Sequence, residues 1–360
     1  MTADGAPEAW LDGPEPWRET RRLARALTAI ERGAEAAWAR AAFRRAGRAM
    51  TVGLTGPPGV GKSTLTAALA RELRKRGEPV AVLAFDPTSP LTGGAVLGDR
   101  VRMSGLETDP GVFIRSMASR GASGGLARAA AAAADLLDAA GFRWILVETV
   151  GAGQAQTLIR RNADLVVLVV APGLGDGVQA IKSGTMEIAD VFVVNKGDLA
   201  GAGAARLAIE DAASPEPGGA GGRRPVVSTV ARTGEGTAEL LEAMSGCFDG
   251  LEAGGEIAAR RAARFRRRVL DLYRAEVLRL AMDAVESGRL VAEAGDPERE
   301  RALYGAPESQ QNRAPGNGGQ VDPYDLADRL VAEFVGGFRR DGGSAHDHRP
   351  GPHRDRRAVD

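Results

Sequence analysis

Seven short apolar runs, rich in Val, Ile and Leu, alternate along the chain with longer segments in which apolar residues recur every three or four positions. The runs lie at 50–54, 80–85, 112–115, 144–148, 165–171, 191–195 and 225–229. Unbroken apolarity over so few residues suits strands buried on both faces. The segments 63–76, 125–140, 178–186 and 202–213 read as helices. This order predicts an α/β fold with a mostly parallel sheet and right-handed crossovers. Ligands of such sheets sit at the carboxyl ends of the strands.

Helical periodicity also flanks this region. Between 16 and 48, Trp17, Leu23, Leu27, Ile30, Ala34 and Trp38 recur at three- and four-residue steps, with a break near Gly33. Two helices packing on the α/β domain are expected there. Residues 1–15 hold Gly, Pro and acids without period and read as a flexible lead. Residues 215–224 are Gly- and Pro-rich, a surface loop. Residues 256–287 form an Arg-rich amphipathic helix with Phe265, Val269, Leu272, Tyr273, Val277, Leu280 and Met282 on one side. After a loop at 305–321, Asp322 caps and Pro323 begins a last helix running to about Phe338. The expected division is therefore a lead at 1–15, a helical segment at 16–48, the α/β domain at 49–250, a C-terminal helical arm at 251–340 and a disordered tail at 341–360. The tail holds His346, His348 and His353, read as incidental rather than metal-binding.

Charge narrows the function classes. Lys plus Arg and Asp plus Glu are 47 each, so no global field favours nucleic acid or an anionic membrane. The interleaved acids of 256–287 make that helix a solvated or subunit-contacting one. The lone Cys247 excludes an intrachain disulfide and fits a reducing cytoplasm, the expected location. The N-terminus has no signal pattern, and no apolar run approaches the length of a membrane span.

The chemistry is concentrated after the first apolar run. Gly56, Pro57, Pro58, Gly59, Val60, Gly61, Lys62, Ser63 and Thr64 fit G-x-x-x-x-G-K-[ST], a phosphate-binding loop leading into a helix. Small residues let backbone N–H groups close around phosphates, Lys62 reaches the β- and γ-phosphates, and the Ser63 hydroxyl suits Mg²⁺. Lysine is scarce, with only Lys62, Lys75, Lys182 and Lys196 in the chain, so the match is informative. Asn195-Lys196-Gly197-Asp198 fits N-K-x-D and selects guanine. The Asp198 carboxylate accepts from guanine N1–H and the exocyclic amine, donors that adenine lacks in that arrangement. Asn195 is expected to bond the other base edge, the Lys196 stem to cover the ring, and the backbone at Val230 and Ala231 to form a second wall. Together these make GTP and GDP the expected ligands. Glu148 ends its apolar run where a carboxylate holds Mg²⁺, and Gly151 is placed to meet the γ-phosphate. Small GTPases usually have Asp there and Gln directly after the Gly; here they are Glu148 and Ala152, with Gln154 two positions on. Slow, partner-dependent hydrolysis follows. Asp86 and Asp99 are further carboxylates for the metal or the attacking water, which gives Lys62, Asp99 and Glu148 as the catalytic set. Two glycine-containing stretches are placed to sense the γ-phosphate: 119–125, with Ser119 and Gly124, and 172–184, with Pro172, Gly175, Asp176, Gln179 and Lys182.

With these motifs in view, the chain resembles a known family. Asp86-Pro87-Thr88-Ser89, 92–99, Phe113-Ile114-Arg115, 147–153 and 172–176 resemble the MeaB GTPases, G-protein chaperones of methylmalonyl-CoA mutase. Arg22-Leu23-Ala24-Arg25-Ala26-Leu27 and Asp322-Pro323-Tyr324 extend the likeness over roughly 20–335. The same proteins are sometimes labelled transport ATPases or kinases of the ArgK type, against which the guanine motif speaks. The resemblance implies GTP hydrolysis, a homodimer built through the C-terminal arm, and an adenosylcobalamin-dependent acyl-CoA mutase as partner, with a cobalamin adenosyltransferase as a further one. It implies that Ser63, Asp86, Asp99 and Glu148 surround Mg²⁺ and that 172–184 responds to the mutase. Departures are Gly177 and Gln156, where acidic residues are usual, and a short glycine-rich stretch between Asp198 and Pro225. A nickel- or zinc-delivering maturation GTPase is the alternative. It needs Cys or His near the nucleotide, and here Cys247 is alone and the histidines are terminal. A non-hydrolysing nucleotide-dependent scaffold is a third reading.

Overall fold

In the computed structural model, residues 6–32, 36–86, 105–106, 108–118, 125–149, 159–173, 185–214 and 224–286 are described. All seven apolar runs are strands: β1 (Met50–Thr55), β2 (Val80–Asp86), β3 (Val112–Ala118), β4 (Trp144–Thr149), β5 (Leu165–Val170), β6 (Val191–Asn195) and β7 (Val226–Thr229). They form one sheet in the order β3-β2-β4-β1-β5-β6-β7, parallel at every pairing. The described helices are α1 (Pro7–Leu11), α2 (Thr20–Glu31), α3 (Ala36–Phe43), α4 (Lys62–Lys75), α5 (Gly125–Ala139), α6 (Thr185–Ile188), α7 (Ala202–Ala213), α8 (Thr237–Ala253) and α9 (Glu256–Glu286).

The two-residue period of the strands sorts their side chains into two cores. In β2, Ala81, Leu83 and Phe85 join Leu23 and Leu27 of α2, Trp38 of α3 and Leu136 and Leu137 of α5. Val80 and Val82 point the other way, with Val52 and Leu54, against Leu65, Leu69 and Leu73 of α4 and Leu240, Leu241 and Met244 of α8. Phe192 and Val194 of β6 meet Ile209 and Ala213 of α7 in a third cluster. The N-terminal periodicity thus marks a core-facing side, as expected.

Three expectations need correction. The lead at 1–15 is not wholly flexible, because α1 places Trp10 at 5% exposure, edge-on to Trp38 with ring centroids 5.5 Å apart. One tryptophan finding an aromatic partner anchors a segment that has no periodicity of its own. The helix α8 lies in a stretch without a predicted element; Gly246 and Gly250 in its interior weaken the pattern, while its apolar face packs on α4. The basic side of α9 is not simply solvated. Arg260 makes a two-pronged pair with Asp190 at 2.8 and 2.7 Å. Arg261 and Arg264 both reach Asp164, and Arg268 reaches Asp135. Asp164 and Asp190 stand just before β5 and β6 and cap sheet N–H groups: Asp164 accepts from Thr51 N at 3.2 Å and Asp190 from Val166 N at 2.8 Å. The arginines of α9 therefore grip the amino-terminal ends of the strands.

Two compact units divide the chain, 1–271 and 272–360. Of the second, residues 272–286 of α9 are described, and Leu272, Tyr273, Leu278, Leu280 and Met282 are about half exposed or more. Cys247 on α8 is half-buried, and burial, with Asp190 adding to it, pushes its thiol up to about 11. Among the described residues no helix is long and apolar enough to cross a membrane.

Candidate functional site

The site is assembled at the carboxyl ends of β1, β4 and β6. Residues 56–61 leave β1 as a loop and α4 begins at Lys62, so the first-turn N–H groups of α4 face the loop interior. Glycine is required at two points. Gly56 has φ +142°, and a Cβ there would stand 2.1 Å from the Val169 carbonyl oxygen of β5. Gly61 has φ +95°, and a Cβ would stand 2.5 Å from the Asn195 amide nitrogen. The loop is therefore wedged against both neighbouring strand ends, which accounts for its sequence beyond any ligand.

Lys62 lies folded under the loop at 8% exposure, and its Nζ donates to the carbonyls of Gly56 at 2.8 Å and Pro57 at 2.9 Å. Burial lowers its pKa, with the Glu148 carboxylate opposing that shift. Glu148, in register with Leu54 of β1 and Ala84 of β2, is 1% exposed, and its Oε2 accepts from Thr66 Oγ1 at 2.9 Å. The structure thus brings Lys62, Ser63 and Glu148 to one place, with Ser63 and Thr64 half-buried on the first turn of α4. Thr66 was not anticipated from the sequence. Its position four residues after Lys62, one turn on and on the same helix face, is the signal that could have revealed it.

Asn195 ends β6 at 1% exposure. Its Nδ2 donates to Val60 O at 2.8 Å, while its Oδ1 accepts from Thr229 Oγ1 and Ala231 N, both at 3.1 Å. The amide thus ties the phosphate loop to the segment after β7, and this bond to Val60 uses one of the two hydrogens on Nδ2. Lys196 adopts φ +59° and its Nζ donates to Gly59 O at 2.8 Å, a second tie across the same gap. Asp198 projects with its side chain 45% exposed, 3.9 Å from Arg232. Val230 and Ala231 are buried, with Val230 bridged to Glu235. Thr229 was also missed, since a lone Thr at a strand end carries no motif.

Pro172 is buried just past β5. Asp86 ends β2, beside Ala118 of β3. The side chain of Asp86 lies outside the described residues, as do Asp99, Ser119, Gly124, Gly151, Gln154, Gly175, Asp176, Gln179 and Lys182, together with Gln156 and Gly177, the tail histidines and the helix expected after Asp322.

As chemistry, the arrangement offers backbone donors and one ammonium to a polyphosphate, a hydroxyl and a carboxylate to a hard cation, and an exposed carboxylate to a base carrying paired donors.

Comparison with known proteins agrees with this reading. The family model described as methylmalonyl Co-A mutase-associated GTPase MeaB matches residues 23–286. A putative GTPase of Pyrococcus abyssi is 43% identical over 324 residues, 89% of this chain and 94% of that protein. The mitochondrial methylmalonic aciduria type A homolog of Caenorhabditis elegans is 43% identical over 157 residues, 43% of this chain and 39% of that one. In fold, the chain is similar to the crystal structure of an LAO/AO transport system kinase, with a TM-score of 0.62 and 24% identity over 93% of this chain and 99% of the other. A phosphate loop, a guanine-type N-K-x-D corner on a parallel sheet, and these likenesses lead to one statement: the chain belongs to the MeaB family and is a guanine-nucleotide-binding GTPase.

Proposed function

We propose that this GTPase is a chaperone of a cobalamin-dependent acyl-CoA mutase, with methylmalonyl-CoA mutase as the favoured partner, gating adenosylcobalamin loading and protecting or reactivating the enzyme. The observation that carries this is the match of the mutase-associated family model over 23–286. In this reading GTP, not a metabolite, is the timing ligand, and the mutase is the responding partner, with a cobalamin adenosyltransferase upstream. A homodimer through the C-terminal arm is part of the proposal, supported by the half-exposed apolar residues Leu272, Leu280 and Met282 on α9. Adding the partner mutase is expected to raise GTP turnover at least about tenfold, as in partner-completed GTPases. No change in phosphate release with any acyl-CoA mutase from the same source would sink the proposal.

The residues near the phosphate loop fit Mg²⁺, since Ser63 and Glu148 supply oxygen donors of the kind that cation takes. When bound, it neutralises charge on the β- and γ-phosphates. Lys62 holds the phosphates, the N-terminus of α4 orients them, and Thr66 fixes Glu148 through its 2.9 Å hydrogen bond. In this reading Asp86 and Asp99 add carboxylates to the metal shell, and the stretches 119–125 and 172–184 sense the γ-phosphate. Among the described residues no group of three or more His, Cys, Asp or Glu side chains is placed to hold a metal, so metal delivery gains no support there.

Asp198 is proposed to read guanine. Asp198→Asn exchanges one acceptor oxygen for a donor and is expected to reduce the GTP-over-ATP preference about 30-fold. Competition binding of the two nucleotides checks this, and unchanged selectivity would overturn the assignment.

A further inference from the structure

At the amino-terminal ends of the strands, opposite the nucleotide site, a cavity of about 440 Å³ lies between α3, α5, the starts of β1 and β5, and the first turns of α9. That is the size of a small-molecule pocket. Six arginines and four aspartates line it. The ion pairs of Arg261 and Arg264 with Asp164, and of Arg268 with Asp135, account for part of this charge. Asp138 accepts from the backbone N–H groups of Gly47 and Arg48. Arg128, Arg161 and Arg267 pair with no carboxylate among the described residues, and with Asp138 and Asp271 counted the lining still carries two positive charges in excess. The Nε of Arg161 is sealed from solvent and meets no acceptor among the described residues. That nitrogen is out of reach of a ligand in the open cavity, so recognition falls to the terminal nitrogens of the guanidiniums that line it. One wall is apolar: Phe43 and Phe265 stack at 5.8 Å, and the Arg268 guanidinium lies 5.2 Å from the Phe43 centroid. Both rings are about half exposed, so the cavity is open to solvent on this side and a ligand can enter past them.

We infer that this cavity is a second ligand site, for a small molecule carrying two or more oxyanion charges, held by Arg128, Arg161 and Arg267. Guanidinium forks match phosphate and carboxylate alike, so the shared chemistry is a compact polyanion. The inference does not rest on the mutase reading. Calorimetric titration of the full chain saturated with GDP, which keeps probes out of the phosphate loop, uses inorganic pyrophosphate in one arm and citrate in the other. One equivalent is expected to bind in at least one arm: pyrophosphate alone assigns a phosphate-bearing ligand, citrate alone a polycarboxylate, and both a site that reads charge density. The Kd is expected to rise at least about tenfold in Arg161→Gln. Arg267→Gln, at an exposed position where folding is not at stake, is expected to weaken binding in the same direction. Absence of binding in both arms, or equal affinity in wild type and Arg267→Gln, would overturn it.

Discussion

Replacing Lys62 by alanine is expected to weaken GTP binding about 1,000-fold, on the scale seen when a charge-stabilising donor is removed from a closed site. The side chain is buried against the loop, with Nζ on the Gly56 and Pro57 carbonyls. It is thus held before any phosphate arrives and pays little ordering entropy when one does. The same two hydrogen bonds brace the loop, but both acceptors are carbonyls at half-buried positions that water can serve, so the melting temperature should change little. Fluorescent GTP titration separates the two effects. Retained tight binding in Lys62→Ala would remove this lysine from the phosphate site.

Loss of a carboxylate far from that site should have the largest effect on folding. Asp164→Ala is expected to lower stability by about 3–4 kcal/mol, the range found when one partner of a buried ion pair is removed. Asp164 is 2% exposed by side chain, and its loss takes the charge partner from Arg261 and Arg264, which keep only backbone carbonyls as acceptors, and the side-chain acceptor from the Thr51 N–H. Burial by itself pushes the Asp164 carboxyl up, but Arg261 and Arg264 outweigh that and hold it below the usual carboxylate range. A depressed folded pKa stabilises fully above the unfolded value, about 4, and the contribution is lost as pH falls through the folded one. Urea unfolding of wild type and variant should therefore differ most at neutral pH and converge in acid. Equal midpoints at pH 7 would show that the cluster does not anchor α9.

Sheet and motif were legible because each rests on local chemistry. Val191 to Val194 announce a strand by composition, and Asn195 to Asp198 announce a polar corner by spacing. What Asn195 does was not legible. A short amide can contact a base and brace a loop at once, and only the approach of Val60, Thr229 and Ala231, from 135, 34 and 36 residues away, reveals the brace. The arginines of α9 posed the same difficulty, because helical periodicity locates a basic side but not the aspartates at the strand starts that meet it. Trp10 lies in a segment without sequence periodicity, and its burial depends on neighbours distant in sequence, Trp38 edge-on and the Arg22 guanidinium over its ring.

Cys247 has a practical consequence. It is the chain's single cysteine, and with its thiol near 11 the reactive thiolate is roughly four orders of magnitude below the thiol at neutral pH. A maleimide or spin label added briefly would pass it by. A cysteine introduced on an exposed turn of α9 could then be tagged without first deleting the native one, and fluorescence or spin resonance would report on that helix alone through the nucleotide cycle.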